Sequence, residues 1–175
     1  MKCAIPFLAL LCASSLLMSP AHAQTAQPIP AWDHQIAGAA RFVLLTDFGS
    51  AAVLDRETGL VWERSPTTAT FTYNSATLQC LNLTTGGRKG WRLPSIFELS
   101  TLIDPTVASP GPTLPAGHPF RNVSKPLWFW SSTRDSGTQY PWGLNTMDGM
   151  VLMYFQGASG MHAWCVRAPS SDNLH

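Results

Sequence analysis

Gly86-Gly87-Arg88-Lys89-Gly90-Trp91-Arg92-Leu93-Pro94-Ser95-Ile96-Phe97-Glu98-Leu99-Ser100-Thr101-Leu102-Ile103-Asp104 is the stretch whose reading decides the fold. Three glycines make a turn, and Trp91-Arg92-Leu93 follows as a short extended segment. Pro94 then stops further helix or central-strand pairing, because it lacks a donor and fixes its own φ. Ser95 and Glu98 stand three apart, the spacing at which each side chain satisfies a free N–H of the other at a helix start. Ile96, Leu99 and Leu102 recur at helical spacing, with Ile103 beside them. The stretch predicts a turn, an extended segment and a capped amphipathic helix from Ser95 to about Ile103.

Upstream, Lys2 and the apolar run Ala4–Met18, broken by Pro20 and followed by Ala21-His22-Ala23, read as a secretory signal peptide over residues 1–23. The run is shorter than the roughly 20 residues a membrane span needs, so no transmembrane segment is expected. Leu11 precedes Cys12 where a lipoprotein signal has a small residue, so a lipid anchor is not expected either. Cleavage after Ala23 leaves 152 residues, ordinary for one domain, with ten basic and ten acidic side chains. That balance argues against nucleic acid or anionic lipid as a partner. Of four cysteines, Cys80 and Cys165 remain after cleavage. In an oxidising compartment two cysteines form one disulfide or stay as two buried thiols, and the scattered histidines do not complete a zinc site.

Residues 24–40 read as a flexible leader, 41–168 as the folded domain and 169–175 as a tail. Strands are expected at Arg41–Leu45, Ala51–Asp55 and Leu60–Glu63, the last two joined by a turn at Glu57-Thr58-Gly59. A first helix, capped by Asn74 or Ser75, is expected to bury Leu78 and Leu81 and to end at Gly86-Gly87. After the second helix comes a proline-rich segment, Asp104–Pro126, with no periodicity. Loops of this length in compact domains are functional or mobile. Strand composition resumes at Leu127–Ser132, Trp142–Thr146, Met150–Phe155 and His162–Arg167. Strands bracketing a helical middle indicate an α+β domain with two helices, a mixed, mainly antiparallel sheet and a long irregular loop.

Five phrases together resemble the family built on the C-terminal domain of the Legionella collagen-like adhesin. They are Leu54-Asp55-Arg56-Glu57-Thr58-Gly59-Leu60-Val61-Trp62-Glu63, Cys80, Gly90–Ser95 with Glu98-Leu99, Phe129-Trp130-Ser131-Ser132-Thr133, and Cys165-Val166-Arg167. The resemblance covers about residues 41–168 and implies a C-type-lectin-like fold. It also implies a Cys80–Cys165 disulfide, export, and adhesion through sulfated polysaccharides. The chain departs from calcium-dependent lectins: acid-Pro-Asn, Gln-Pro-Asp and Trp-Asn-Asp are all absent. Trp142-Gly143-Leu144-Asn145 with Asp148 has too few acidic oxygens for calcium, so no metal and no cofactor is expected.

Trp62, Trp91, Trp130 and Trp164 sit among apolar neighbours and read as core; Tyr140 and Trp142, flanking Pro141, read as exposed. The candidate ligand site is the end built from Asp104–Pro126 and Arg134–Gly160. There Trp142, Asn145 and Tyr154 would offer a stacking face and hydrogen bonds, and Arg121, Lys125 and Arg134 positive charge. Arg88 and Lys89, with Arg92, form a second cationic candidate for sulfate or carboxylate. Arg92 and Arg167 have a competing role, pairing with Glu98, Asp55 or Glu63. No histidine (His34, His118, His162, His175) stands in a phrase with a nucleophile and an orienting group, so no catalytic residue is assigned. The reading is an exported, periplasmic or secreted, non-enzymatic module for a polysaccharide. The alternatives are a protein-binding head displaying Met150, Met153, Tyr154, Phe155, Gln156 and His162, or a structural envelope protein without a small ligand.

Overall fold

The computed structural model describes residues 36–168; the expected signal peptide, most of the leader and the tail lie outside them. A single helical turn, α1 (Gly38–Arg41), falls at the end of the stretch read as leader. The strands β1 (Phe42–Leu45), β2 (Ala52–Asp55) and β3 (Val61–Glu63) follow, then the helices α2 (Tyr73–Asn82) and α3 (Ile96–Ser100). Four more strands complete the order: β4 (Trp128–Arg134), β5 (Pro141–Asn145), β6 (Val151–Met153) and β7 (Val166–Arg167). The domain is α+β, as the element order predicts. Its strands form two antiparallel sheets, β1-β2-β3-β7 and β4-β5-β6, where one mixed sheet was expected. The parallel component is reduced to one isolated bridge, Phe129 with His162.

The first sheet is covered on both faces, which divides the interior into two cores. In the first sheet Phe42, Val53, Trp62 and Val166 alternate toward one core, joined by Leu99, Leu102, Phe129, Leu144 and Trp164. Ala52, Val61 and Cys165 face the other, with Phe48, Tyr73, Cys80, Trp91 and Trp130. Trp62, Trp91, Trp130 and Trp164 are all fully buried. Edge-to-face pairs such as Trp62–Trp164 at 5.8 Å and Phe120–Trp164 at 4.9 Å fill space that aliphatic side chains would leave open.

The Trp91–Ile96 segment stitches the two sheets together. Arg92 exchanges backbone hydrogen bonds with Val166 of β7, both 2.9 Å. Two residues on, the Pro94 carbonyl accepts from Ser132 N of β4 at 2.7 Å, and Ile96 N donates to Thr133 Oγ1 at 3.0 Å. The capping box forms: Glu98 N donates to Ser95 Oγ and Ser95 N to Glu98 Oε2, at 3.1 and 2.7 Å. Glu98 also takes Arg92 in a two-pronged ion pair of 2.6 and 2.8 Å. Burial alone would raise the Glu98 pKa, but the Arg92 and Ser95 hydrogen bonds together hold it below the usual range.

Three expectations need correction. Leu78 and Leu81 are each 58 % exposed; α2 instead buries Tyr73, Ala76 and Cys80 and is capped by Thr72. Small residues let the helix lie close against β4 and the disulfide, and Leu at 76 or 80 would not fit there. The helix ends at Asn82, and Gly86–Gly87 belong to a separate 3-10 turn, where the left-handed Gly86 (φ +66°) lies against Phe48. The proline segment is largely scaffold. Leu114, Phe120 and Val123 are buried in the first core, and Thr113 N donates to the Thr146 carbonyl at 2.8 Å.

Candidate functional site

The β4-β5-β6 sheet presents its side chains by strict alternation, and this sorts the expected ligand residues. Trp142 pairs in register with Met153, and Leu144 with Val151, so these four share one face. Tyr154 comes one residue after Met153 and points the other way. It packs edge-on against Trp128 at 5.1 Å and Trp130 at 6.2 Å in the second core, and burial raises its phenol pKa. Trp142 and Tyr154 are therefore on opposite faces and cannot make one stacking surface. Asn145 is buried, with Oδ1 accepting from Met147 N at 2.9 Å; it closes the β5–β6 turn.

Arg134 lies on the Tyr154 side. Its guanidinium sits 4.7 Å from the Tyr73 ring centroid, and its Nε donates to Tyr73 Oη at 3.4 Å. Arg121 is exposed and held elsewhere, with its N–H on the Arg64 carbonyl at 2.8 Å, on the chain leaving β3. Lys125 is exposed before β4. The three cations do not gather around Trp142. Among the residues expected on a protein-binding surface, Met150, Met153 and Phe155 are exposed, whereas His162 is buried with Nδ1 3.0 Å from the Ala69 carbonyl.

What the structure does bring together is a ladder of apolar pairs on the Trp142 face. Leu144–Val151 and Trp142–Met153 are its inner rungs. Tyr154 N donates to the Pro141 carbonyl at 2.9 Å, which extends the pairing by one residue, and Tyr140 meets Phe155 edge-to-face at 6.0 Å as the outer rung. Exposure rises outward: Leu144 is 1 % exposed, Met153 45 % and Phe155 65 %. The outer rung is locked from behind. A Cβ on Gly157 would stand 2.7 Å from the Phe155 ring, and Gln156 Nε2 donates to the Gln139 carbonyl at 3.2 Å. In the hairpin below, Asp135 accepts from Thr138 and Gly137 N–H groups, which lowers its pKa. Tyr140, Phe155 and Met153 are thus an exposed apolar row, with the half-buried Trp142 at its inner end against the first core. Sequence reading reached Tyr140 and Trp142 but not their partnership with Phe155, which depends on the β5–β6 register.

One carboxyl group outside the ladder is electrostatically unusual. Glu63 lies on the inner face of β3 with Val61, across from Cys165, and burial pushes its pKa from 4.5 to about 7, partly offset by the Cys165 backbone N–H. A raised carboxyl pKa favours the folded state fully at pH below 4.5, and the benefit is lost as pH climbs through 7. Glu63→Gln is therefore expected to match the parent near pH 4.5. At pH 8.5 it should be more stable by up to about 3 kcal/mol, read by thermal melts at both pH values. An equal difference at both would remove the ionisation argument. Among the described residues no group of three or more acidic, histidine or cysteine side chains is placed to hold a metal ion. Nor is any described helix long and apolar enough to cross a membrane.

The family model described as the Lcl C-terminal domain matches residues 51–167. The match takes in β2 through β7, the disulfide, the capping box and the whole ladder. No curated protein sequence matches the chain. The resemblance carried by the five phrases is thus shown by a match over most of the domain, and the chain belongs to the Lcl C-terminal domain family, an adhesin-type domain.

Proposed function

We propose that this domain is an exported, non-enzymatic binding head whose ladder of Trp142, Tyr140 and Phe155 stacks the apolar faces of sugar rings. The observation that carries the reading is an exposed aromatic pair, Tyr140 and Phe155, held in fixed geometry outside both cores, with the half-buried Trp142 in line with it. Aromatic side chains left in water are retained where a ligand covers them. The disulfide fits an oxidising compartment, and the family's adhesin character fits a ligand on a cell or matrix surface. Arg88, Lys89, Arg121, Lys125 and Arg134 are exposed, and none forms an ion pair among the described residues, which suits an anionic polysaccharide long enough to touch several of them.

A screen on a glycan array, followed by titration with the best polysaccharide, tests the proposal. Tyr140→Ala with Phe155→Ala is expected to weaken binding about thirtyfold, since each ring contributes roughly 1 kcal/mol. The melting temperature should stay within a few degrees of the parent, because neither ring belongs to a core. Tyr154→Ala, by contrast, should destabilise the fold. If the double variant binds as the parent does, the ladder is not the site.

A protein-binding reading has its own supporting observation. Strand β6 is the edge of its sheet, and Leu152 and Met153 are 43 % and 45 % exposed on its two faces. Such an edge accepts an added strand through its backbone. Loss of binding on introducing a proline at Leu152, with the ladder intact, would favour it.

A further inference from the structure

Two arginines converge on Phe48, and among the described residues no acid pairs with either. The Gly86–Gly90 turn folds onto Phe48, and the Arg88 carbonyl accepts from Trp91 Nε1 at 3.0 Å, which fixes the turn. This places the Arg88 guanidinium carbon 5.6 Å from the Phe48 ring centroid. Strand β7 delivers Arg167 to the same ring at 5.4 Å. Nη1 of Arg167 is buried and has no hydrogen-bond partner among the described residues. Among the described residues neither guanidinium forms an ion pair, although Asp47 is the residue next to Phe48. Arg92, the third member expected of a cationic group here, is removed from it by Glu98.

A buried charged donor without an acceptor is costly, and such groups are normally satisfied. The aromatic ring holds the two cations in place but accepts no strong hydrogen bond from them. We propose that Arg88 and Arg167, seated on Phe48, form a binding site for a compact oxyanion, a sulfate or carboxylate group. Planar guanidinium forks match both shapes and offer paired donors. Arg167 is the fixed half, held by strand pairing; Arg88, exposed on a glycine-rich turn, is the half that closes over the anion. This site is separate from the aromatic ladder, and neither depends on the other.

The test is NMR of the arginine Nε–H signals of the mature chain during titration with sodium sulfate, then sodium acetate, at constant ionic strength set by chloride. Saturable shifts of the Arg88 and Arg167 signals are expected with at least one oxyanion. Arg88→Gln, a surface change that leaves the fold intact, should weaken that binding about tenfold or more. Absence of a saturable shift, an identical response to chloride alone, or unchanged affinity in Arg88→Gln would overturn the site. The tail beyond the described residues carries one acidic side chain, Asp172; if sulfate or acetate binds only in Asp172→Asn, that carboxylate is the occupant, and the proposal fails.

Discussion

Replacing Cys80 and Cys165 together by alanine is expected to lower stability by about 4–5 kcal/mol in urea denaturation, and the melting temperature by about 10 °C or more. The two residues are 85 apart, and the bond joins α2 to the segment entering β7. Both cysteines are fully buried in the second core. The chain that the bond closes runs through α3, the proline segment and the whole second sheet, so its removal frees most of the domain in the unfolded state. In the chain-entropy description a loop of this length gives the largest constraint a single bridge provides. Packing adds to the loss, because α2 contributes only Tyr73, Ala76 and Cys80 to the interior and has no broad apolar face of its own. Without the bridge, α2 should be the first element to exchange its amide protons. A double variant within 1 kcal/mol of the parent would show that the second core holds α2 unaided.

Local chemistry made part of this fold legible and long-range pairing hid the rest. The Ser95–Glu98 capping box and the β2–β3 hairpin depend on residues within a few positions of each other, and both form as read. The four core tryptophans were legible from their apolar neighbours. Three features were not. Leu78 and Leu81 carry the helical spacing of a buried face, but the interior selects the smaller side of α2, because a disulfide and a tryptophan-filled strand leave room for nothing larger. The proline segment has no period, so its buried Leu114, Phe120 and Val123 give no signal. The division into two sheets is set by strand partners far apart in the chain, Arg92 with Val166 and Trp130 with His162 among them.

One residue of strand alternation divides the expected stacking face. Because a strand alternates its faces, Tyr154 and Phe155 have opposite fates: the first is fixed between Trp128 and Trp130, the second stands in water against Tyr140. No composition argument distinguishes them. The register with β5 does: it sets the half-buried Trp142 in line with Tyr140 and Phe155 and excludes Tyr154 and Asn145.

Asp55→Ala is expected to cost about 3–5 kcal/mol, although the position lies far from either proposed site. Sequence reading offered Asp55 as a partner for Arg92 or Arg167; its partner is Arg41. The pair is buried on both sides, Asp55 completely and Arg41 to 4 % exposure. Nε and Nη2 of Arg41 each donate to one carboxylate oxygen at 2.7 Å. Glu57 takes Nη1 at 2.8 Å, and the Thr101 carbonyl, at the end of α3, takes Nη2 at 2.8 Å. Asp55 meanwhile accepts from Glu57 N and Thr58 Oγ1, which shapes the β2–β3 turn. One carboxylate therefore joins α1, the hairpin and α3. Removing it leaves a buried guanidinium with only the partly exposed Glu57 carboxylate, on Nη1, and with Nε unpaired, and a poorly compensated buried charge is what makes such variants costly. The discriminating measurement is the cycle with Arg41→Ala. If the ion pair is the cause, Arg41→Ala with Asp55→Ala should be much less destabilised than the sum of the single variants, because the second change removes the stranded charge. Additive losses would mean instead that Asp55 acts through the turn alone. The family phrase around Asp55 then has a structural meaning: its acids and its Thr-Gly turn hold Arg41 beneath α3.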